Sequence, residues 1–373
     1  MFKYLITIQP LGLMYGSSGA FLSPENLVGR SGMKFPPDAA TVSGLFFSTN
    51  KSMSFAEHQE LCENLVVAGP FWANLDQLDD FYVPLPRHKL IAQTTSDEWQ
   101  LINHHWCLKS QVKTDEPAAE TLDQNESDYH WLRLDYWDDD PEIIQQDAKE
   151  KSPSVAEKSW NYVPLLHPRL KKNERHVVTD DGLFLETAVQ MQDDTCLVYL
   201  STYNLADGWY QLGGESHLVE VHSIELTPET PIQQRLQHPI KQAFALITPG
   251  VWGSNTLSYR YPKSKTFAHD YHKIKLLTDK AVPYRYRIGY GEQKPESFKN
   301  RAPGRLSRGR YAVPAGSVYV LPKPLNKTWW EFPQEWFPEK GLLKKFGVGL
   351  CLPITIAGLN KNGVERGEID QQN

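Results

Sequence analysis

"KYLITIQPLGLMYGSSGAFLSPENLVGRSGMKFPPDAATVSGLFF", Lys3–Phe47, holds three kinds of chain in succession. Lys3–Gln9 is rich in β-branched and aromatic residues and reads as a strand. After Pro10-Leu-Gly12 small residues take over, with Ser17 and Ser18 near the start of the loop and Arg30 and Lys34 near its end. Pro37 and Asp38 suit the first turn of a helix, and Val42, Leu45 and Phe46 supply its apolar i, i+3, i+4 face. A strand that enters a Gly/Ser loop and leaves as a helix aims backbone N–H groups and two cations at whatever lies over the loop. Loops of this length are uncommon unless they are functional or disordered.

Working outward, a second helix is expected over Ser54–Val67. Gly182–Met191 and Thr195–Ser201 read as strands joined by a tight Asp193-Asp194 turn, hence a hairpin. Leu212-Gly-Gly-Glu-Ser-His217 leads into a strand at Leu218–Leu226. Further strands are expected at Gln242–Thr248, Lys273–Leu277, Arg285–Gly289 and Phe346–Ile356, with a hairpin between Tyr311 and Tyr319 around Pro314-Ala-Gly-Ser. This order gives an α+β fold of two small domains, 1–227 and 228–373, divided at the polar stretch near Thr227. The tract Asp115–Ser159 has the composition of an insertion or a partly disordered surface segment, except for its WLRLDYW patch, which is free to dock back onto a domain or a partner.

The 373 residues are 40% hydrophobic and 23% charged, enough for a sizeable core and too many for one ordinary domain. No apolar run is long enough to span a membrane, and the polar N-terminus does not read as a signal peptide. Cys62, Cys107, Cys196 and Cys351 lie far apart, which suits free thiols in a reducing cytoplasm. A net charge of −6 argues against a protein that coats DNA. The charge is unevenly spread: Lys113–Glu150 carries thirteen acids, whereas Ala281–Arg310 carries Arg285, Arg287, Lys294, Lys299, Arg301, Arg305, Arg308 and Arg310 against two glutamates. An acidic block and a basic block point to two faces with different partners.

PPDAATVSG, LKKNERHVVTDDGLFLETAV, LGGE, YAVPAGSVYVL and FGVGL, in that order, resemble the RAMP proteins of CRISPR systems. Within them the chain is similar to the family of the third Cmr subunit of the type III-B effector complex. The resemblance touches both ends and the middle and leaves about 48–160 outside it. It implies two ferredoxin-like, RRM-like folds, the first carrying 48–160 as an insertion. It also implies a non-catalytic subunit gripping the 5′ tag of a guide RNA, beside a large polymerase-like subunit and the first backbone RAMP subunit. It gives the acidic tract no role.

A single-stranded RNA tag needs cations for phosphates, backbone N–H groups that approach closely, and apolar faces for splayed bases. Gly213 and Gly214 remove two side chains where a backbone can meet RNA, and Ser216 and His217 add donors. Arg301, Arg305, Arg308 and Arg310 stand within ten positions with no acid among them. They repel one another unless solvated or occupied by anions, and phosphate is the preferred anion. With Ser17, Ser18, Arg30 and Lys34 these residues form the candidate RNA site.

Enzyme readings find less support. His269-Asp270 lacks a second His/Asp pair, His104-His105 are neighbours that point to opposite faces of a strand, and Asp138-Asp139-Asp140 before Pro141 reads as a turn. No cofactor or metal is expected. The competing class is a metal-independent endoribonuclease that cuts CRISPR precursor RNA with His58 or His217 as general base.

Overall fold

The computed structural model describes residues 1–15, 35–49, 54–112, 127–150, 152–171, 173, 176–178, 182–214, 216–254, 256–262, 273–288 and 305–359. It is an α+β protein of several sheets. The first strand, β1 (Tyr4–Pro10), is followed by the short β2 (Met14–Tyr15). Helix α1 (Ala39–Thr49) buries Val42, Leu45 and Phe46, the face its spacing predicts. Helix α2 (Phe55–Asn64) starts at a capping box: Ser54 Oγ accepts from the Glu57 N–H while the Glu57 carboxylate accepts from Ser54 N–H. It ends earlier than the sequence suggests, because Val67 already belongs to β3 (Val67–Asn74).

The stretch outside the family resemblance contributes to the framework. After β3 come β4 (Tyr82–Pro84), then β5 (Lys89–Ile91), β6 (Ser96–Ile102) and β7 (His105–Leu108), which form a small sheet, and the single turn of α3 (Lys109–Val112). Farther on lie β8 (Trp131–Arg133), a 3-10 turn at Leu134–Asp138, α4 (Pro141–Gln146) and β9 (Val155–Ala156). The described part of the acidic tract is therefore folded, not a loose surface segment. Its sparse apolar residues decide this: Leu132, Leu134, Trp137, Ile144 and Val155 are all buried. Several acids are met by cations, Glu142 by Lys109 at 3.1 Å and Asp138 by Arg235. WLRLDYW does dock back, with Trp137 Nε1 donating to the Pro353 carbonyl at 3.0 Å.

The expected hairpin of Gly182–Met191 with Thr195–Ser201 does not form. β11 (Leu183–Met191) pairs with β10 (Trp160–Pro168) and β2, whereas β12 (Thr195–Ser201) pairs with β1 and β3. All seven residues of β12 are buried, so it takes a central place with two neighbours. Asp194, at φ 59°, makes the turn by which the chain crosses from one sheet to the other. β13 (Gly208–Leu212) and β14 (His217–Glu225) do form a hairpin, and the main sheet runs β13-β14-β1-β12-β3-β4-β8-β9.

Beyond α5 (Pro231–Gln237), β15 (Ala243–Leu246) begins the C-terminal part. β16 (Trp252–Gly253) and β17 (Ser258–Tyr259) make a small ribbon, and β18 (Lys275–Leu277) lies at a sheet edge. β19 (Val282–Tyr284) and β20 (Arg287–Ile288) run antiparallel to β22 (Arg310–Ala312) and β21 (Arg305–Leu306), respectively. This overturns the Tyr311/Tyr319 hairpin, because β23 (Val318–Val320) pairs instead with β15 and β18. The turn between β22 and β23 is used elsewhere: Gly316, at φ 83°, donates to Leu246 O and accepts from Arg87 N. After α6 (Leu342–Lys345), β24 (Cys351–Pro353) completes the four-stranded sheet β18-β23-β15-β24.

One apolar cluster runs through both parts, from Phe2, Phe71 and Trp137 to Phe244, Tyr319 and Trp336. A second packs α1 and α2 on the other face of the main sheet. Among the described residues no helix is long and apolar enough to cross a membrane.

Candidate nucleic-acid interface

Two stretches that carry predicted site residues lie against helix α1. Ahead of its first turn, the Pro37 carbonyl accepts the Tyr199 hydroxyl at 2.6 Å, which ties the helix start to β12. Thr41 lies beside Gly213, its methyl 4.0 Å from where a Gly213 side chain would stand. On another side, Ala40 packs against a small cluster that contains Tyr284, Tyr286 and Ala312 from the basic ribbon. The Gly-Gly turn and the ribbon, far apart in sequence, thus flank one helix.

The β13–β14 turn has the backbone its sequence demands. Gly213 is left-handed at φ 74° and Ser216 at φ 57°, and Gly213, Gly214 and Ser216 are exposed. A side chain at Gly214 would meet nothing within 4 Å, so the turn opens onto solvent. His217 is half-buried: its Nε2 accepts the Tyr15 N–H at 3.1 Å, and the two rings stack with centroids 5.7 Å apart. That bond places the ring proton on Nδ1. His217 thereby ties the start of β14 to Tyr15 at the end of β2. Sequence reasoning did not include Tyr15 or Thr41, since neither carries a signal until the hairpin is folded against them. Ser17, Ser18, Arg30 and Lys34 lie outside the described residues, as do Arg301 and the His269-Asp270 pair.

The arginines divide. Arg305 pairs with Ile288 through the β20–β21 backbone, and Arg308 is exposed. Arg310 is a correction. It is buried, donating from Nη2 to Glu339 at 2.7 Å and from Nη1 to Ser254 O at 2.8 Å. The acid that the local sequence lacked arrives from Glu339, so this guanidinium is spent inside the protein. Glu339 also accepts the Tyr286 hydroxyl, and burial, reinforced by this acid, raises the Tyr286 phenol well above its ordinary value. Arg285, on the same ribbon, donates to Ser307 O at 2.8 Å. Tyr284 and Tyr286, on either side of Arg285 in sequence, are buried.

Other candidates resolve simply. Tyr319 is core, its hydroxyl donating to Arg260 O at 2.7 Å, whereas Tyr311 is exposed. Asn103 and His104, both left-handed, form the turn between β6 and β7. Asp140 caps α4 ahead of Pro141, while Lys89 Nζ donates to the carbonyls of Trp137 and Asp139 at 2.7 and 2.6 Å.

Comparison with solved structures finds similar chains of low identity. One comes from the cryo-EM structure of the type III-B Cmr-beta bound to cognate target RNA, with a TM-score of 0.47 and 10% identity over 85% of this chain and 86% of that one. Another comes from the Csm3-Csm4 subcomplex of the type III-A CRISPR-Cas interference complex, with a TM-score of 0.36 and 10% identity over 86% of this chain and 98% of that one. A third, from a Csm1-Csm4 cassette in complex with pppApA, has a TM-score of 0.36 and 8% identity over 86% of this chain and 87% of that one. No curated protein matches the sequence. The family model for the CRISPR-associated protein Cas_Cmr3 matches residues 24–356, nearly the whole length, and the chain therefore belongs to the Cas_Cmr3 family.

Proposed function

We propose that the chain is a non-catalytic subunit of a type III-B CRISPR RNA-guided effector complex, active in antiviral defence in the cytoplasm. It binds the 5′ tag of the guide RNA and bridges the large polymerase-like subunit to the first backbone RAMP subunit. In this reading its two parts are ferredoxin-like domains that meet near Thr227. Family membership is the observation that carries the proposal. The geometry around α1 supports it: an exposed Gly-Gly turn and the arginine-bearing ribbon flank one helix.

An endoribonuclease needs a histidine free to take a proton from an RNA hydroxyl. His217 Nε2 already accepts the Tyr15 N–H. His58 stands on α2, with Nδ1 3.6 Å from Cys62 Sγ. The occupied Nε2 of His217 favours gripping over cutting. The deciding experiment is recovery of the tagged chain from its native cells with sequencing of bound RNA. Mature guide RNAs sharing one 5′ sequence, recovered with RAMP-like proteins, are expected. Cleavage of repeat RNA at one position by the purified chain alone would overturn the non-catalytic role.

A further inference from the structure

Among the described residues, the outer end of the main sheet has one face uncovered. There β13, β14 and β1 align Trp209, Glu220 and Gln9 in one cross-strand row, and Gln211 and Leu218 in the next. Leu11 extends this second row, its N–H donating to Leu218 O at 3.1 Å. The opposite face of the same strands, with Ile6, Ile8, Leu212, Val219 and Val221, is buried in the cluster that holds α1 and α2. On the open face Trp209 is 70% exposed, Leu218 48% and Leu11 44%. Three large apolar side chains on neighbouring segments make a patch, whereas single exposed ones mean little.

The charge around this patch selects the occupant. Asp207 and Glu220 lie 3.2 and 3.7 Å from the two ring nitrogens of His222. Hydrogen bonds from the Ser223 backbone and from His222 hold the Asp207 carboxyl below its usual range. β1, β13 and β14 contain no lysine or arginine. Carboxylates beside an exposed tryptophan repel an RNA backbone and attract a cation, and β13 is moreover an edge strand of the sheet.

We propose that this face docks a polypeptide of another subunit, one that sets an apolar anchor against Trp209 and Leu218 and an arginine or lysine against Glu220 and Asp207. The proposal rests on the subunit reading above only in taking its partner from the same assembly. Trp209 is the anchor residue, the type that most often dominates such contacts.

The test places a photo-crosslinking benzoylphenylalanine at position 209 of the full chain in native cells, irradiates the intact assembly, and identifies adducts by mass spectrometry. The expected adduct is one polypeptide segment with a lysine or arginine close to the linked residue, its yield falling about tenfold or more when Glu220→Arg is added. An adduct to RNA, or none while other polypeptides are present, overturns the docking face. Guide RNA sequenced from the same sample reports separately on the subunit reading: guide RNA recovered without a polypeptide adduct sinks the face alone.

Discussion

Arg310 has a side chain only 4% exposed and bonded to Glu339, which is itself 22% exposed, whereas Arg308, two residues earlier, faces solvent. Replacing Arg310 with Ala takes the guanidinium from a largely buried carboxylate and from the Ser254 carbonyl, while the Tyr286 hydroxyl keeps Glu339 as its acceptor. The expected loss is about 3 kcal/mol, the lower end for a broken buried pair, read from urea unfolding. Arg308→Ala leaves stability within about 0.5 kcal/mol and instead lowers the salt dependence of guide-RNA binding by about 0.7 in log–log slope. An unchanged slope would remove Arg308 from the interface. His88 makes a different residue-scale prediction. Burial, aided by the neighbouring Lys89 charge, pushes its imidazole down to about 3. Its folded value lies below its unfolded value, so between about pH 6.5 and pH 3 the unfolded chain binds the extra proton and stability falls with falling pH. His88→Gln loses this contribution. Wild type should be ahead at pH 7, and its lead should shrink steadily in urea midpoints taken down to pH 4.5; a constant lead would mean that His88 does not titrate in this way.

At the scale of elements, the β13–β14 turn gives the cleanest separation of folding from binding. Nothing lies within 4 Å of a side chain placed at Gly214, and only Gly213 of the pair is left-handed. Gly214→Ala should therefore fold with stability within about 0.5 kcal/mol of wild type. It should bind guide RNA several-fold more weakly if the backbone there touches RNA, as measured by filter binding; equal affinity would take the turn out of the site. This turn and α1 were legible because their signals are local: Gly-Gly ahead of a strand and an apolar face at helical spacing. Strand partners were not legible. Leu183–Met191 and Thr195–Ser201 look like a hairpin by proximity, yet each finds better burial with strands from elsewhere in the chain, Leu197 opposite Ile8 and Trp72, and Val189 opposite Met14 and Tyr162. Likewise the acid that neutralises Arg310 comes from the turn at Glu339, and no reading of residues 301–310 contains it.

At the scale of the whole molecule, composition undervalued the described part of the acidic tract, because its few apolar residues count for more than its many charges. Trp137 is 1% exposed, donates to Pro353 O at 3.0 Å, and through its own carbonyl accepts from Lys89 Nζ at 2.7 Å. It thereby fastens the tract to the C-terminal sheet. Arg87 with Asp279 at 2.8 Å, and Leu101 through its N–H to Ala357 O at 3.1 Å, link the segment ahead of the tract to the C-terminal part. The apolar cluster these contacts frame is continuous from Phe2 to Ile356, so the two parts share a core across the boundary near Thr227. The described chain should then unfold as one cooperative unit, with calorimetric and van't Hoff enthalpies equal. Trp137→Ala, by opening a cavity in the shared core, should lower that single transition by about 3–5 kcal/mol without splitting it. Two resolved transitions, with only one moved by the substitution, would instead mean that the boundary near Thr227 separates independently stable domains and that the contacts across it are added after each has folded.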